Sequence, residues 1–257
     1  MIDLKNRRYI VTGAAGGIGA AIVATLLEEG GSVALFDLDE IRASEVARSL
    51  DPSEARTLTV GVDVTDADSV AAGVDRVVVR FGGLEGLVNS AGSVVLDEAW
   101  DAAAADWSRQ LDVNVTGSFL CAREVGKHLR ARGGSIVNVA SNCGKVGYKN
   151  MAAYNAAKAA VISLTRSLSL EWAGDGINVN AVCPGGVDTP MLAGVADWLE
   201  PRLGMPANEI LEGMGAAQLG RKISPTEVAR VIAFLLSDDA VIIRGQSINV
   251  DGGDTPY

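Results

Sequence analysis

Histidine and cysteine are nearly missing from this chain: there is one histidine, His128, and three cysteines, Cys121, Cys143 and Cys183. The cysteines lie far apart, form no C-x-x-C pair and have a single histidine to assist them, so neither a zinc site nor a disulfide framework is expected. His128 follows Lys127 near the end of an expected helix, where a solvated terminal histidine is the simpler reading. Positive charge is also short. The 22 Lys and Arg residues face 32 Asp and Glu, a formal charge of −10, and no basic stripe exists to track a phosphate backbone, so nucleic acid is not an expected partner. Long apolar runs are scarce too. The uncharged stretch Tyr9 to Leu27, behind the basic Lys5 to Arg8, superficially copies a signal peptide or membrane span. Gly13, Gly16, Gly17 and Gly19 would interrupt an apolar helix, whereas they suit a tight turn between a strand and a helix. A cytoplasmic protein with no membrane contact is expected, and 257 residues suffice for one sizeable α/β domain over 1–257.

What the chain does have is alternation. Arg8 to Thr12 is a short β-branched and aromatic run, and after the glycines Ile22, Val23, Leu26 and Leu27 recur at helical spacing. The same alternation continues with strands over 32–36, 56–62, 84–88, 135–140 and 177–183. The helices between them span 40–50, 66–81, a long region from about Trp100 to Arg130 broken once near Asn114 to Gly117, and 152–172. Strands without strict polar alternation, each separated by a helix, imply a doubly wound, Rossmann-like α/β fold, with a mostly parallel sheet of seven strands covered on both faces. Gly186 to Ile223 breaks the rhythm. Its prolines and its Met191, Leu192, Trp198, Leu199, Leu203, Met205 and Met214 are read as an irregular substrate lid. A capping box from Ser224 to Glu227, with Pro225 at the first helical position, then opens a helix to Leu236, and Ser247 to Val250 is a final strand.

Three clusters carry chemistry. Thr12 to Gly19, TGAAGGIG, sits between a strand and a helix, where glycines let the backbone approach a pyrophosphate and the helix start offers unpaired N–H groups. Asp37, ending the second strand, is placed to accept from the adenosine ribose hydroxyls. That favours NAD over NADP, because Ala15 and Leu38, where a cation would be needed for a 2′-phosphate, are uncharged; Asp39 is read as a helix cap. The third cluster is Ser141 with Tyr154 and Lys158. Tyr154 and Lys158 are four apart, one face of a helix, so the ammonium is expected to lower the phenol pKa toward a useful range.

With Asn89-Ser90-Ala91-Gly92 added to these in order, the sequence resembles the short-chain dehydrogenase/reductase family along essentially its whole length. The resemblance implies an NAD(P)-dependent oxidoreductase that interconverts a secondary alcohol and a ketone. Tyr154 would be the general acid/base, Lys158 its partner on the nicotinamide ribose, Ser141 the group orienting the substrate oxygen and Asn114 the anchor of a water relay. It implies cofactor contacts at Gly13, Ala15, Gly17, Ile18, Gly19, Asp37, Leu38, Asp63, Val64, Asn89, Ala91, Gly92, Tyr154 and Lys158. Pro184, Gly185, Val187 and Thr189 would complete the cofactor site, with the Val187 backbone and the Thr189 hydroxyl meeting the nicotinamide carboxamide. Ser90 departs mildly from the family, which more often has a second asparagine there. The substrate is expected to be a secondary alcohol or ketone of modest size in a mainly apolar pocket; Cys143 either lines that pocket or is an inert buried thiol, and Lys145 and Lys149 are read as solvated loop lysines ahead of contacts to an anionic substrate. Two alternatives share these residues: a 3-oxoacyl thioester reductase using NADPH, and a dinucleotide-binding scaffold without turnover. Family members commonly form homotetramers, so a homotetramer or homodimer is expected.

Overall fold

The computed structural model describes residues 2–215 and 217–255. Seven parallel strands form one sheet: β1 (Arg8–Thr12), β2 (Ser32–Asp37), β3 (Thr57–Gly61), β4 (Gly86–Asn89), β5 (Gly134–Val139), β6 (Ile177–Pro184) and β7 (Ser247–Val250), in the order β3-β2-β1-β4-β5-β6-β7. Helices α1 (Gly17–Glu28), α2 (Glu40–Leu50), α3 (Ala67–Phe81), α4 (Ala104–Leu111), α5 (Gly117–Leu129), α6 (Ala152–Glu171) and α9 (Pro225–Leu236) cover its two faces, and α7 (Pro190–Leu203) and α8 (Ala207–Gly213) follow β6.

The missing polar alternation in the strands has its explanation in two cores. Ile10 and Val11 on β1, Ala34 and Leu35 on β2, and Ile136 and Val137 on β5 are all fully buried, and in each pair the first faces one core and the second the other. The first core receives Val70, Val74 and Val77 of α3 with Val125 and Leu129 of α5. The second receives Ile22, Val23 and Leu26 of α1 with Val228 and Ile232 of α9. At roughly 1.5–3 kcal/mol per fully buried aliphatic side chain, these two layers fix the strand register. The strand order reverses between β1 and β4, so the loops at their carboxyl ends part and leave a crevice.

Most expected elements appear within two residues of their expected limits, and the capping box of α9 is present, with Ser224 N–H donating to Glu227 Oε2 at 2.8 Å. The long helical region begins later than expected, at Ala104, leaving Trp100 95% exposed. Its interruption lies where Asn114 suggested, as a π-turn over Asp112–Thr116.

More than half of the segment 186–223 is helical rather than irregular, in α7 and α8. Two of its three prolines start helices rather than prevent them: Pro190 occupies the first turn of α7 behind a Thr189 cap, and Pro206 immediately precedes α8. Pro201 lies only two residues from the end of α7. The two chain ends of this insert are clasped together: Val187 and Ile223 form a parallel bridge, Asp188 N–H donates to Ile223 O and Ile223 N–H to Gly186 O at 2.9 Å each, and Lys222 Nζ reaches Asp188 Oδ1 at 2.7 Å.

Candidate active site

At the carboxyl ends of β1 and β4 opens a cleft of about 1450 Å³, larger than the roughly 300–1,000 Å³ of an ordinary small-ligand pocket. One end is built from the glycine turn. Gly13 has φ +63°, and a Cβ there would stand 2.8 Å from Ala91 Cα; a Cβ on Gly19 would stand 2.1 Å from Gly13 O. Glycine at these two positions lets the turn, the start of α1 and the loop after β4 close on one another, while Thr12 Oγ1 accepts from the N–H groups of Ser90 and Ala91 at 3.0 Å. The cap of α1 is Gly16, with no side-chain cap bond and no acid in the first turn. The backbone donors at that helix start therefore lack a side-chain partner beside the cleft, a cradle for an anionic group. Asp37 is fixed beside it: Oδ2 accepts from Ala15 N–H at 2.9 Å and Oδ1 from Asp39 N–H at 3.0 Å. Asp39 caps α2, accepting from Arg42 N–H at 3.0 Å.

The other end gathers Ser141, Tyr154 and Lys158. Ser141 leaves β5 and caps a short 3₁₀ turn over Asn142–Gly144, accepting from Cys143 N–H at 3.1 Å and donating to Asn142 Oδ1 at 3.3 Å. Gly144 presses this turn onto α6, where a Cβ would stand 2.7 Å from the Lys158 carbonyl carbon. Tyr154 is in the first turn of α6, and Lys158 lies one turn on with its Nζ 5.5 Å from the Tyr154 ring centroid. Lys158 is 5% exposed and donates to Val139 O at 2.9 Å.

Three comparisons bear on this arrangement. The short-chain dehydrogenase family model described as "Enoyl-(Acyl carrier protein) reductase" matches residues 13–255. The chain belongs to the short-chain dehydrogenase/reductase family. Cis-4-hydroxycyclohexanecarboxylate dehydrogenase of Sinomonas cyclohexanicum is 45% identical over 97% of both chains. The 2-(S)-hydroxypropyl-CoM dehydrogenase 3 of Xanthobacter autotrophicus is 40% identical over 98% of both. A crystal structure of a variant actinorhodin polyketide ketoreductase with NADPH superposes with a TM-score of 0.93 at 34% identity, covering 98% of each chain. The protein is thus an NAD(P)-dependent oxidoreductase acting on CH–OH groups.

In this short-chain dehydrogenase the cleft is lined by Gly13, Ala15, Gly17, Ile18, Gly19, Asp37, Leu38, Asp63, Val64, Ala91 and Gly92, and by Ser141, Tyr154, Lys158, Pro184, Gly185, Val187 and Thr189. Asn89 and Asn114 are not on its wall. Asn89 braces the sheet, donating to Ser118 O and Asn138 Oδ1 at 3.0 and 2.9 Å. Asn114 is fully buried in the π-turn, donating to Ser93 O and Gln110 O at 2.9 and 2.8 Å, with Oδ1 left without a partner. That oxygen sits close to Lys158: a Cβ on Gly92 would stand 2.9 Å from it and 3.5 Å from Lys158 Nζ.

The electrostatics correct one expectation. Burial pushes the Tyr154 phenol well above its ordinary value, with the Ser141 hydrogen bond opposing the rise, and Lys158 is not among the groups that lower it. Burial dominates because the ammonium is itself desolvated, its pKa lowered to about 8, and is hydrogen-bonded to Val139 O. The apolar residues of the insert divide between the cleft and the surface. Met191, Leu192, Val195 and Met214 line the cleft, but Trp198 stacks under Arg202 at 3.5 Å and Leu203 and Met205 stay exposed. Lys145 is anchored to Ser247 O at 2.7 Å, and Cys143 lines the cleft with its thiol pKa raised by burial. Arg42, Arg109 and Asp254 also line it and were not legible in the sequence. Arg42 sits in the first turn of α2, directly after the Asp39 cap.

Proposed function

We propose that the enzyme interconverts a secondary alcohol and a ketone with NAD(H), using Tyr154 as the proton donor and acceptor. What supports the reading is one observation: Ser141, Tyr154 and Lys158 meet at one end of a cleft whose other end holds the glycine-capped start of α1 and Asp37. The dinucleotide supplies the hydride donor or acceptor and, when oxidised, a positive charge. The start of α1 holds its phosphates, Asp37 its adenosine ribose hydroxyls, and Lys158 Nζ, with donors left beyond Val139 O, its other ribose. Ser141 Oγ holds the substrate oxygen against the Tyr154 hydroxyl. For a ketone that hydroxyl donates its proton, and its raised pKa keeps it protonated and ready at neutral pH. For an alcohol it must first be deprotonated, so oxidation gains with rising pH while reduction declines. Asn114 Oδ1 beside Lys158 continues the proton path away from the site. Residues 190–213 act as the lid, and copies of the chain associate through exposed residues of α5 and α6 such as Phe119 and Leu170.

A panel of secondary alcohols and ketones with NAD(H) and NADP(H) tests the reading. Tyr154→Phe should bind NADH within a few fold of wild type while losing turnover, and a variant that retains a tenth of wild-type kcat refutes the role of Tyr154. One observation favours a second reading, a 3-oxoacyl thioester reductase using NADPH: Arg42 lines the cleft near Asp37, where it could meet a 2′-phosphate. Higher kcat/KM with NADPH, on 3-oxoacyl thioesters rather than simple ketones, would select it.

A further inference from the structure

The substrate end of the cleft holds a donor the reaction does not use. Tyr148 lines the cleft, 43% exposed, and its hydroxyl accepts from Asn142 Nδ2 at 3.0 Å. A phenol has one donor as well as its acceptor lone pairs, so this contact leaves the O–H itself for another partner. Asn142 is 4% exposed and its Oδ1 accepts from Ser141 Oγ at 3.3 Å, so one buried amide ties Tyr148 to Ser141. The two hydroxyl oxygens are therefore held no more than about 9 Å apart, the reach of two hydrogen bonds with an amide between them. The Tyr148 backbone is held as well, its carbonyl accepting from Asn155 Nδ2 at 2.9 Å on α6. The same cleft is lined by the apolar Met151, Met191, Leu192 and Met214, and by the acid Asp254, which lies near Tyr148 and whose Oδ1 is fixed by Ala217 N–H at 2.6 Å.

Building on the alcohol dehydrogenase reading above, we propose that Tyr148 is a specificity-determining residue that donates a hydrogen bond to a second, uncharged oxygen of the substrate, so that the preferred substrates are diols or hydroxyketones with an apolar body. The reacting oxygen sits at Ser141 and the second at Tyr148, on the two ends of the Asn142 bridge. Burial, with Cys143 and Asp254 nearby, raises the Tyr148 pKa, which keeps the hydroxyl a donor across the working pH range. A carboxylate in the second position would meet the like charge of Asp254. A neutral oxygen leaves no such conflict, and the buried Asn142 amide holds the donor in register.

The test compares cyclohexanol, cyclohexane-1,4-diol and 4-hydroxycyclohexanecarboxylate as substrates of the wild type and of Tyr148→Phe, with NADH binding followed by fluorescence. Wild type should favour the diol over cyclohexanol by at least tenfold in kcat/KM and over the carboxylate by a similar factor. Tyr148→Phe should lose that preference for the diol while its kcat/KM on cyclohexanol stays within threefold of wild type. An equal fall on both neutral alcohols would assign Tyr148 to holding Ser141 and overturn the proposal. A wild type that treats the diol and cyclohexanol alike, or favours the carboxylate, overturns it too. Turnover of none of these or of the wider panel, with NADH binding intact, sinks the alcohol dehydrogenase reading itself.

Discussion

Lys158 carries a cost that can be measured apart from turnover. Its ammonium is almost fully enclosed and its pKa falls from 10.5 to about 8 through desolvation. At 1.36 kcal/mol per pKa unit, keeping it charged inside the fold costs roughly 3 kcal/mol below pH 8. Lys158→Met keeps most of the side-chain volume and removes that cost, but leaves Val139 O without its 2.9 Å donor, a loss of about 1 kcal/mol. The variant should therefore be more stable at pH 7 by roughly 2 kcal/mol, or about 5 °C in Tm for a chain of this size. The pH dependence has a definite sign. Between about pH 8 and 10.5 the unfolded chain binds more protons at this lysine than the folded one, so wild-type stability rises through that window relative to the variant. The advantage of methionine is complete below pH 8, shrinks as pH climbs and reverses near pH 10, where the remaining cost of the charge falls below the roughly 1 kcal/mol lost at Val139 O. Denaturation of both proteins without added dinucleotide, at several pH values from 7 to 10, reads this out while kcat collapses. A variant less stable than wild type at pH 7, or a gap that does not change with pH, would refute the reasoning.

Three further outcomes follow from the same geometry. Gly92→Ala sets a methyl 2.9 Å from Asn114 Oδ1 and beside Lys158 Nζ; kcat should fall at least tenfold with about 1–3 kcal/mol of stability, and steady-state kinetics within twofold of wild type would refute the crowding argument. Asp37→Ala removes the acceptor beside the glycine turn, so the ratio of kcat/KM for NAD over NADP should fall at least tenfold; an unchanged ratio would remove Asp37 from cofactor selection. Leu170, 81% exposed on α6, should tolerate Asp as a monomer, so Leu170→Asp should reduce the mass seen by light scattering without unfolding the chain, and an unchanged mass places the contact elsewhere.

The fold was legible wherever one physical rule ruled locally. Hydrophobic period separated the strands from the helices, and a poor helix former, Asn114, marked the one turn where α4 and α5 change winding. The rule failed in 186–223, where Pro190 and Pro206 stand at helix starts and Pro201 lies within the last turn of α7. It also failed at Trp100, whose apolar character suggested a helix that begins four residues later. In the site, spacing placed Tyr154 and Lys158 on one face. It could not supply the Lys158 bond to Val139, nineteen residues away, nor the burial that raises the phenol instead of lowering it. Arg42 and Asp254 reach the cleft only through the packing of α2 and the turn that follows β7, which no local pattern encodes.

The clasp at Val187 and Ile223 has an evolutionary side. Because the helical insert leaves and rejoins the sheet at adjoining points, sealed by two backbone bonds and the Lys222–Asp188 pair, it can lengthen, shorten or change residues without straining β6 or α9. Substrate range can thus drift through one exchangeable cassette while the hydride chemistry beneath it stays as it is.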